Sequence, residues 1–219
     1  MSMEKDMAAM PDTMDGNGSN NASFQAYDAI VTSKLSESGE VYFQVTESEA
    51  VYPANFDLFG YTYDRPRRIV CGLYVYDSWY GNLGRYALID WMEYVQEGRV
   101  VAEKPQGDDD GLDVLDDWMT SLEDGFLTLH YSTWWGTQPR RHELMLILGT
   151  NPDDPYEVLL EHRANGDPKA MEADALVTFD INDRLPASQD PGNTPLVTLK
   201  WRNDAGETNR RQFSFCRRD

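Results

Sequence analysis

His162, Arg163 and Asp167 bring an imidazole, a guanidinium and a carboxylate into one short stretch, a set able to move a proton or polarise a carbonyl. Chemistry of that kind also needs a nucleophile or a second placed acid, and no Ser or Cys motif accompanies them. The three stand where an extended run leaves into the turn Ala164-Asn-Gly-Asp. They are therefore read as a structural corner, with Asp167 capping turn amides or pairing with Arg163. Asp108, Asp109, Asp110, Asp113, Asp116 and Asp117 offer hard oxygen ligands for calcium but lack the D-x-[DN]-x-[DN]-G-x₅-E register. A solvated charge run is the reading, with calcium as the alternative. His130, His142 and His162 do not fall at zinc spacing and have no cysteine beside them. His130 and His142 are expected on adjacent strands, facing each other or solvent. No catalytic residue, metal or cofactor is assigned, and the chain is read as no enzyme.

Two further sets concern binding and redox state. Trp79-Tyr80 and Trp134-Trp135 each end a strand-like run just before a glycine. Neighbours in an extended strand point to opposite sides, so one of each pair is expected in a core. The other is a candidate contact for a partner or a sugar ring, against the competing reading of sandwich-edge packing. Cys71 and Cys216 lie far apart in apolar runs and are read as two buried small hydrophobes, with a disulfide as the alternative.

The elements that must position these residues are strands. Short β-branched and aromatic runs recur between Gly, Asn, Asp and Pro clusters, the pattern of a sandwich or barrel. In the first half the runs are 27–33, 40–47, 51–53, 67–76 and 85–95. Both faces of 67–76 are apolar, which predicts a central and much-buried strand. The run 85–95 fits a helix by period, but its neighbours favour a strand. These five suit a small Greek-key barrel of the oligonucleotide/oligosaccharide-binding (OB) type. Six more runs, 126–135, 141–148, 156–162, 175–181, 196–201 and 211–216, suit an antiparallel β-sandwich. Between the two sets, Lys104-Pro-Gln-Gly-Asp-Asp-Asp-Gly111 predicts a boundary, and 112–122 a short helix or an irregular acidic crossing. The expected organisation is a disordered tether over 1–22, an OB-like domain over 23–104 and a β-sandwich over 105–219.

Charge narrows the partners. The net charge is −19, and residues 104–125 hold eight carboxylates against one lysine. Such a surface repels phosphate and anionic lipid alike, which disfavours nucleic acid and direct lipid-headgroup binding. No apolar run is long enough to span a membrane as a helix. Residues 1–23 lack the basic and apolar regions of a signal peptide, so export would imply a leader already removed.

Taken in order, Gly39-Glu-Val-Tyr-Phe43, Val51-Tyr-Pro53, Arg68-Ile-Val-Cys-Gly-Leu-Tyr74, Asp110-Gly-Leu-Asp-Val114, Trp118, Gly125-Phe-Leu-Thr-Leu129, Leu160-Glu-His-Arg-Ala-Asn-Gly-Asp167 and Val177-Thr-Phe-Asp-Ile181 resemble the NigD-like family of Bacteroidetes lipoproteins. The resemblance spans about residues 25–217. It implies an OB-like domain followed by a β-sandwich, in an exported protein held by a lipid anchor in the periplasm or at the outer membrane or cell surface. The acylated cysteine of such an anchor is not in this sequence. The expected function is a non-catalytic binding or interaction module for a protein partner of unidentified kind, one version being bacteriocin immunity. A carbohydrate-binding module using exposed aromatics is the alternative, and a hydrolase comes third.

Overall fold

Every second residue from Ala29 to Val31, and again from Ile69 to Val75, is apolar and buried, which forces these segments to lie with one face against a shared core. The structure, a computed structural model, describes residues 23–186 and 194–218. The tether expected over 1–22 lies outside the described residues. Strands β1 (Phe24–Leu35), β2 (Val41–Gln44), β3 (Ala50–Pro53), β4 (Arg67–Trp79) and β5 (Arg85–Tyr94) close into a barrel of order β1-β2-β3-β5-β4. All neighbours are antiparallel except β3 and β5. The run 85–95 is thus a strand, as its neighbours suggested. A 3-10 turn, Phe56–Phe59, sets Phe56 edge-on to Phe43 with ring centroids 5.8 Å apart and plugs the interior.

Strand β4 departs from expectation. Ile69, Cys71, Leu73 and Val75 fill the barrel, while Tyr74 and Tyr76 stand half-exposed on its outside. A closed barrel buries only its inner face, so apolar character on both faces of this strand leaves aromatic rings outside.

Among the described residues ten strands follow the barrel: β6 (Gln96–Glu97), β7 (Arg99–Val101), β8 (Asp113–Val114), β9 (Ser121–Glu123), β10 (Phe126–Trp135), β11 (Glu143–Ile147), β12 (Glu157–Arg163), β13 (Met171–Asp180), β14 (Leu196–Arg202) and β15 (Thr208–Ser214). One sheet runs β6-β13-β10-β8 with β9 also on β10, the other β15-β14-β12-β11-β7. Between them pack Leu127, Leu129, Leu146, Leu160, Phe179 and Leu199. The all-β sandwich is as expected, but β7 with β11, β12 with β14 and β6 with β13 pair in parallel, so the sheets are mixed.

The parallel pairs of β6 and β7 also move the boundary. The last barrel bond is Val95 N–H to Arg68 O at 3.0 Å. Residues 96–101 then join opposite sheets of the sandwich, so the changeover falls at Val95 and not at 104. Gly98 permits the switch, because a Cβ there would lie 2.2 Å from the Phe179 ring. Residues 104–112 form a loop of the second domain, and 112–122 holds two short strands joined by a turn at 117–119, with no helix. Its Leu112 is buried in the sandwich core.

The two free cysteines lie apart. Cys71 is inside the barrel, where burial pushes its thiol up to about 12, and Cys216 is half-buried beside Glu47. Across the domain junction Arg68, 1% exposed, donates to Thr32 Oγ1 at 3.0 Å and to Glu123 at 2.8 Å, while Lys34 meets Asp124 at 2.8 Å. Burial works against the charge of Arg68, and Glu123 compensates it. Glu123→Ala strips a buried cation of its partner and is expected to cost about 3 kcal/mol, whereas Arg68→Met removes charge and keeps volume and is expected to change stability by less than about 1 kcal/mol. Urea midpoints of the two variants check this; a larger loss in R68M than in E123A contradicts it.

Candidate functional site

The expected corner is a buried hydrogen-bonded chain at one end of the sandwich. His162 leaves β12 on the side of Leu160, and its Nδ1 lies 2.6 Å from the Gly111 carbonyl. Its Nε2 lies 3.0 Å from His142 Nδ1, and His142 Nε2 lies 3.2 Å from Asp167 Oδ2. Asp167 also accepts the Gly136 N–H at 2.9 Å. That amide holds the Asp167 carboxyl below its usual range, with the His142 contact adding to it. Burial pushes the His162 pKa down, so this ring is neutral: Nδ1–H donates to Gly111 and Nε2 accepts from His142. A carbonyl ends the chain on one side and a carboxylate on the other. Trp135 stacks on His142 at 3.9 Å and 8° and covers the pair.

Arg163 belongs to another contact. Its guanidinium donates to the Pro105 carbonyl at 2.9 Å and lies 3.9 Å from Glu161, so the expected Arg163–Asp167 pair is replaced. The side chains alternate along β12, which sends His162 inward and Glu161 and Arg163 toward the loop.

The acidic run is mostly engaged with backbone. Asp109 accepts the His162 N–H at 3.2 Å, and Asp110 the Ala164 N–H at 2.7 Å. Asp117 accepts the Met119 N–H at 2.9 Å, and Asp116 meets Arg211 at 2.9 Å. Among the described residues no group of three or more His, Cys, Asp or Glu is placed to hold a metal ion. His130 is not near His142, since β10 and β11 lie in opposite sheets. It sits between Asp117 at 2.6 Å and Asp174 at 2.7 Å. Burial opposes charge on this ring, but hydrogen bonds to Asp174 and Asp117 outweigh it and raise the His130 pKa.

The aromatic candidates divide differently from the expected one-in, one-out rule. Trp134 and Trp135 are both half-buried, donating to Asp204 at 3.1 Å and to the Ala173 carbonyl at 3.4 Å. Trp79 is 71% exposed at the end of β4. Tyr80 stacks on Tyr52 at 3.8 Å and donates its hydroxyl to Glu40 at 2.9 Å. Tyr52 begins a row across the outer barrel face. Register places Tyr52 beside Tyr86 and Phe24 beside Tyr76. Ring centroids step 6.2 Å from Tyr52 to Tyr86, 6.0 Å to Tyr76, 5.8 Å to Phe24 and 5.5 Å to Tyr74. The row ends at a notch of about 250 Å³ beside Tyr74, bounded by Asp28 and Asp90. Gly72 forms its floor, and a Cβ there would lie 2.5 Å from Trp91 Nε1 and 3.3 Å from Asp28 Oδ1.

Residues 95–215 match the family of the NigD-like C-terminal beta sandwich domain. The chain belongs to the NigD-like family. No curated protein matches it in sequence. Solved structures share its fold, among them the following three. One, described as a toxin-related protein of Parabacteroides distasonis, has 18% identity and TM-score 0.67, covering 87% of this chain and 94% of that one. A NigD-like immunity protein of Bacteroides caccae has 16% identity and TM-score 0.58, covering 86% and 96%. A Bacteroides fragilis protein described as a lipoprotein has 10% identity and TM-score 0.59, covering 89% and all of that chain at 100%.

Within this NigD-like chain, sequence reasoning missed His142 as the partner of His162, and it missed Phe24, Tyr52, Tyr76 and Tyr86. The Tyr74/Tyr76 alternation on β4 was the signal for the row, since a half-buried barrel strand shows its second face. The Asp117–His130–Asp174 triplet yields a pH prediction. The raised His130 pKa stabilises the fold in full below the unfolded value of about 6.5, and this contribution is lost as pH rises through the folded value. Asp174, held down by its bond to His130, and Asp117, where burial is outweighed only by the His130 bond together with the Met119 and Thr120 amides, contribute above about pH 4 and lose it on acidification. The triplet is thus expected to stabilise most between about pH 4 and 6.5. Unfolding free energy against pH should lose this component in His130→Gln; an unchanged profile would contradict the assignment.

Proposed function

We propose that this chain is a non-catalytic binding module of the bacterial cell envelope that engages a protein partner through the outer face of its barrel. The carrying observation is the aromatic row from Tyr80 to Tyr74, which passes exposed Phe24 and reaches a notch whose two carboxylates make no ion pair among the described residues. Tyr and Trp supply rigid contact area at low entropic cost and dominate binding hot spots. The groups able to do acid–base chemistry serve other ends: His162, His142 and Asp167 close the sandwich, and His130 is held between two carboxylates.

The names of the neighbours support the setting. One is described as a lipoprotein and another as an immunity protein. Among the described residues no helix is long and apolar enough to cross a membrane. Immunity is the version in which an acidic face meets a basic toxin peptide, with long-range attraction speeding encounter. Carbohydrate binding is the second reading, favoured by the same ring faces.

The test is affinity capture from envelope extract at low and high salt. A partner is expected to be held by the native chain and lost on paired Tyr76→Ser and Tyr86→Ser substitution, with weaker capture at high salt. Equal retention at high salt contradicts the electrostatic version, and equal capture by the double variant contradicts the barrel face as the docking surface.

A further inference from the structure

We infer that the notch beside Tyr74 receives the cationic side chain of a lysine- or arginine-bearing segment of the partner, whose extended chain lies along the aromatic row. This deepens, and rests on, the protein-partner reading above.

Three observations converge on a basic, extended occupant. First, Asp28 and Asp90 bound the notch, both are exposed, and neither makes an ion pair among the described residues. Two other carboxylates near the row are engaged, Glu40 accepting the Tyr80 hydroxyl and Glu49 pairing with Arg85, whereas Asp77 adds a further exposed negative charge beside Tyr76. The notch therefore holds uncompensated negative charge beside a tyrosine face, the setting in which a cation gains from both carboxylate and ring. Second, centroids step by 5.8 to 6.2 Å from Tyr52 through Tyr86 and Tyr76 to Phe24, across β3, β5, β4 and β1, with Tyr74 beside Phe24 at the notch. Side chains on one face of an extended peptide repeat every two residues, about 6.6 Å. Alternate side chains of such a segment can each meet a ring. Third, Gly72, which lines the notch, lets the Trp91 edge and the Asp28 carboxylate come close to the strand backbone, so an indole ring and a carboxylate border the site together.

Charge also argues against two other occupants. The chain's own residues 1–22 carry four carboxylates against one lysine, the wrong sign for this site. A neutral glycan would use Asp28 and Asp90 as hydrogen-bond acceptors and leave their charge uncompensated.

The experiment is ¹H–¹⁵N shift mapping on the full labelled chain with a capped octapeptide alternating lysine and valine. Its glutamate-for-lysine twin and cellohexaose are the comparison probes. Saturable shifts are expected at Asp28, Gly72, Tyr74 and Asp90 with the lysine peptide alone, with affinity falling about tenfold in Asp28→Asn/Asp90→Asn. Both positions are exposed, so the double variant retains its fold. Shifts spread over the acidic surface with unchanged affinity in that variant would overturn the proposal, as would cellohexaose acting at these amides. If the double variant still captures the envelope partner as the native chain does, the notch is wrong while the protein-partner reading stands. If the native chain captures no partner, that reading fails with it.

Discussion

A closed five-stranded sheet has one interior, and away from the junction at Arg68 and Lys34 its outer face is not covered by other described residues. The interior is filled by one side of each strand, and whatever the other side carries must meet solvent or a visitor. On β4 and its neighbours that other side carries Tyr74, Tyr76, Phe24, Tyr86 and Tyr52. Packing inside the barrel does not require them, since Leu73, Val75 and Ala87 supply the core from the opposite faces. Aromatic pairs gain something from each other's edges, yet rings left half-wet forgo much of the gain that full burial would bring. The row is most simply understood as surface held in readiness.

The sandwich solves the converse problem. Its two inner faces hide apolar residues, but its open end must be shut by chain whose amides and carbonyls need partners. The connector does this with hydrogen bonds to both sheets: Asp110 N–H to His162 O, Leu112 N–H to Arg202 O and Leu115 N–H to His130 O. Gly111 O then finds His162, and the relay through His142 delivers the far end to Asp167 and the Gly136 amide. A chain of hydrogen-bonded rings ties β11, β12, the connector and the turn after β10 to one geometry. Removing one member would leave its neighbours with buried and unmet polar atoms, which is costlier than the bond itself is worth.

Legibility followed the physics of each signal. Alternation made the strands readable, because it is a local consequence of one-sided burial, and the OB-like barrel and sandwich came with it. Strand partners were less readable: the parallel pairing of β6 and β7 rests on two or three residues each, too short to show alternation. The boundary misled for a related reason. Lys104-Pro-Gln-Gly-Asp-Asp-Asp-Gly111 has linker composition, but its carboxylates cap amides of β12 and the turn beyond it, so the stretch is a clamped loop. His162 and Asp167 were visible as a pair because the turn between them is local. His142, twenty residues away, entered only through the register of Leu144 with His162.

The same distinction decides where the acid excess acts. Sequence density points to 104–125, yet there Asp109, Asp110, Asp116 and Asp117 each meet an amide, a guanidinium or an imidazole at close range. Charges satisfied in this way project a weaker field than their number implies. Asp28 and Asp90 are few but lack such partners among the described residues, and they share one notch. With a screening length of about 10 Å in ordinary salt, a visitor feels the carboxylates it can approach and little of the rest. On the proposed reading a partner would meet two carboxylates beside a tyrosine face, while the denser acidic run acts mainly on the chain's own backbone.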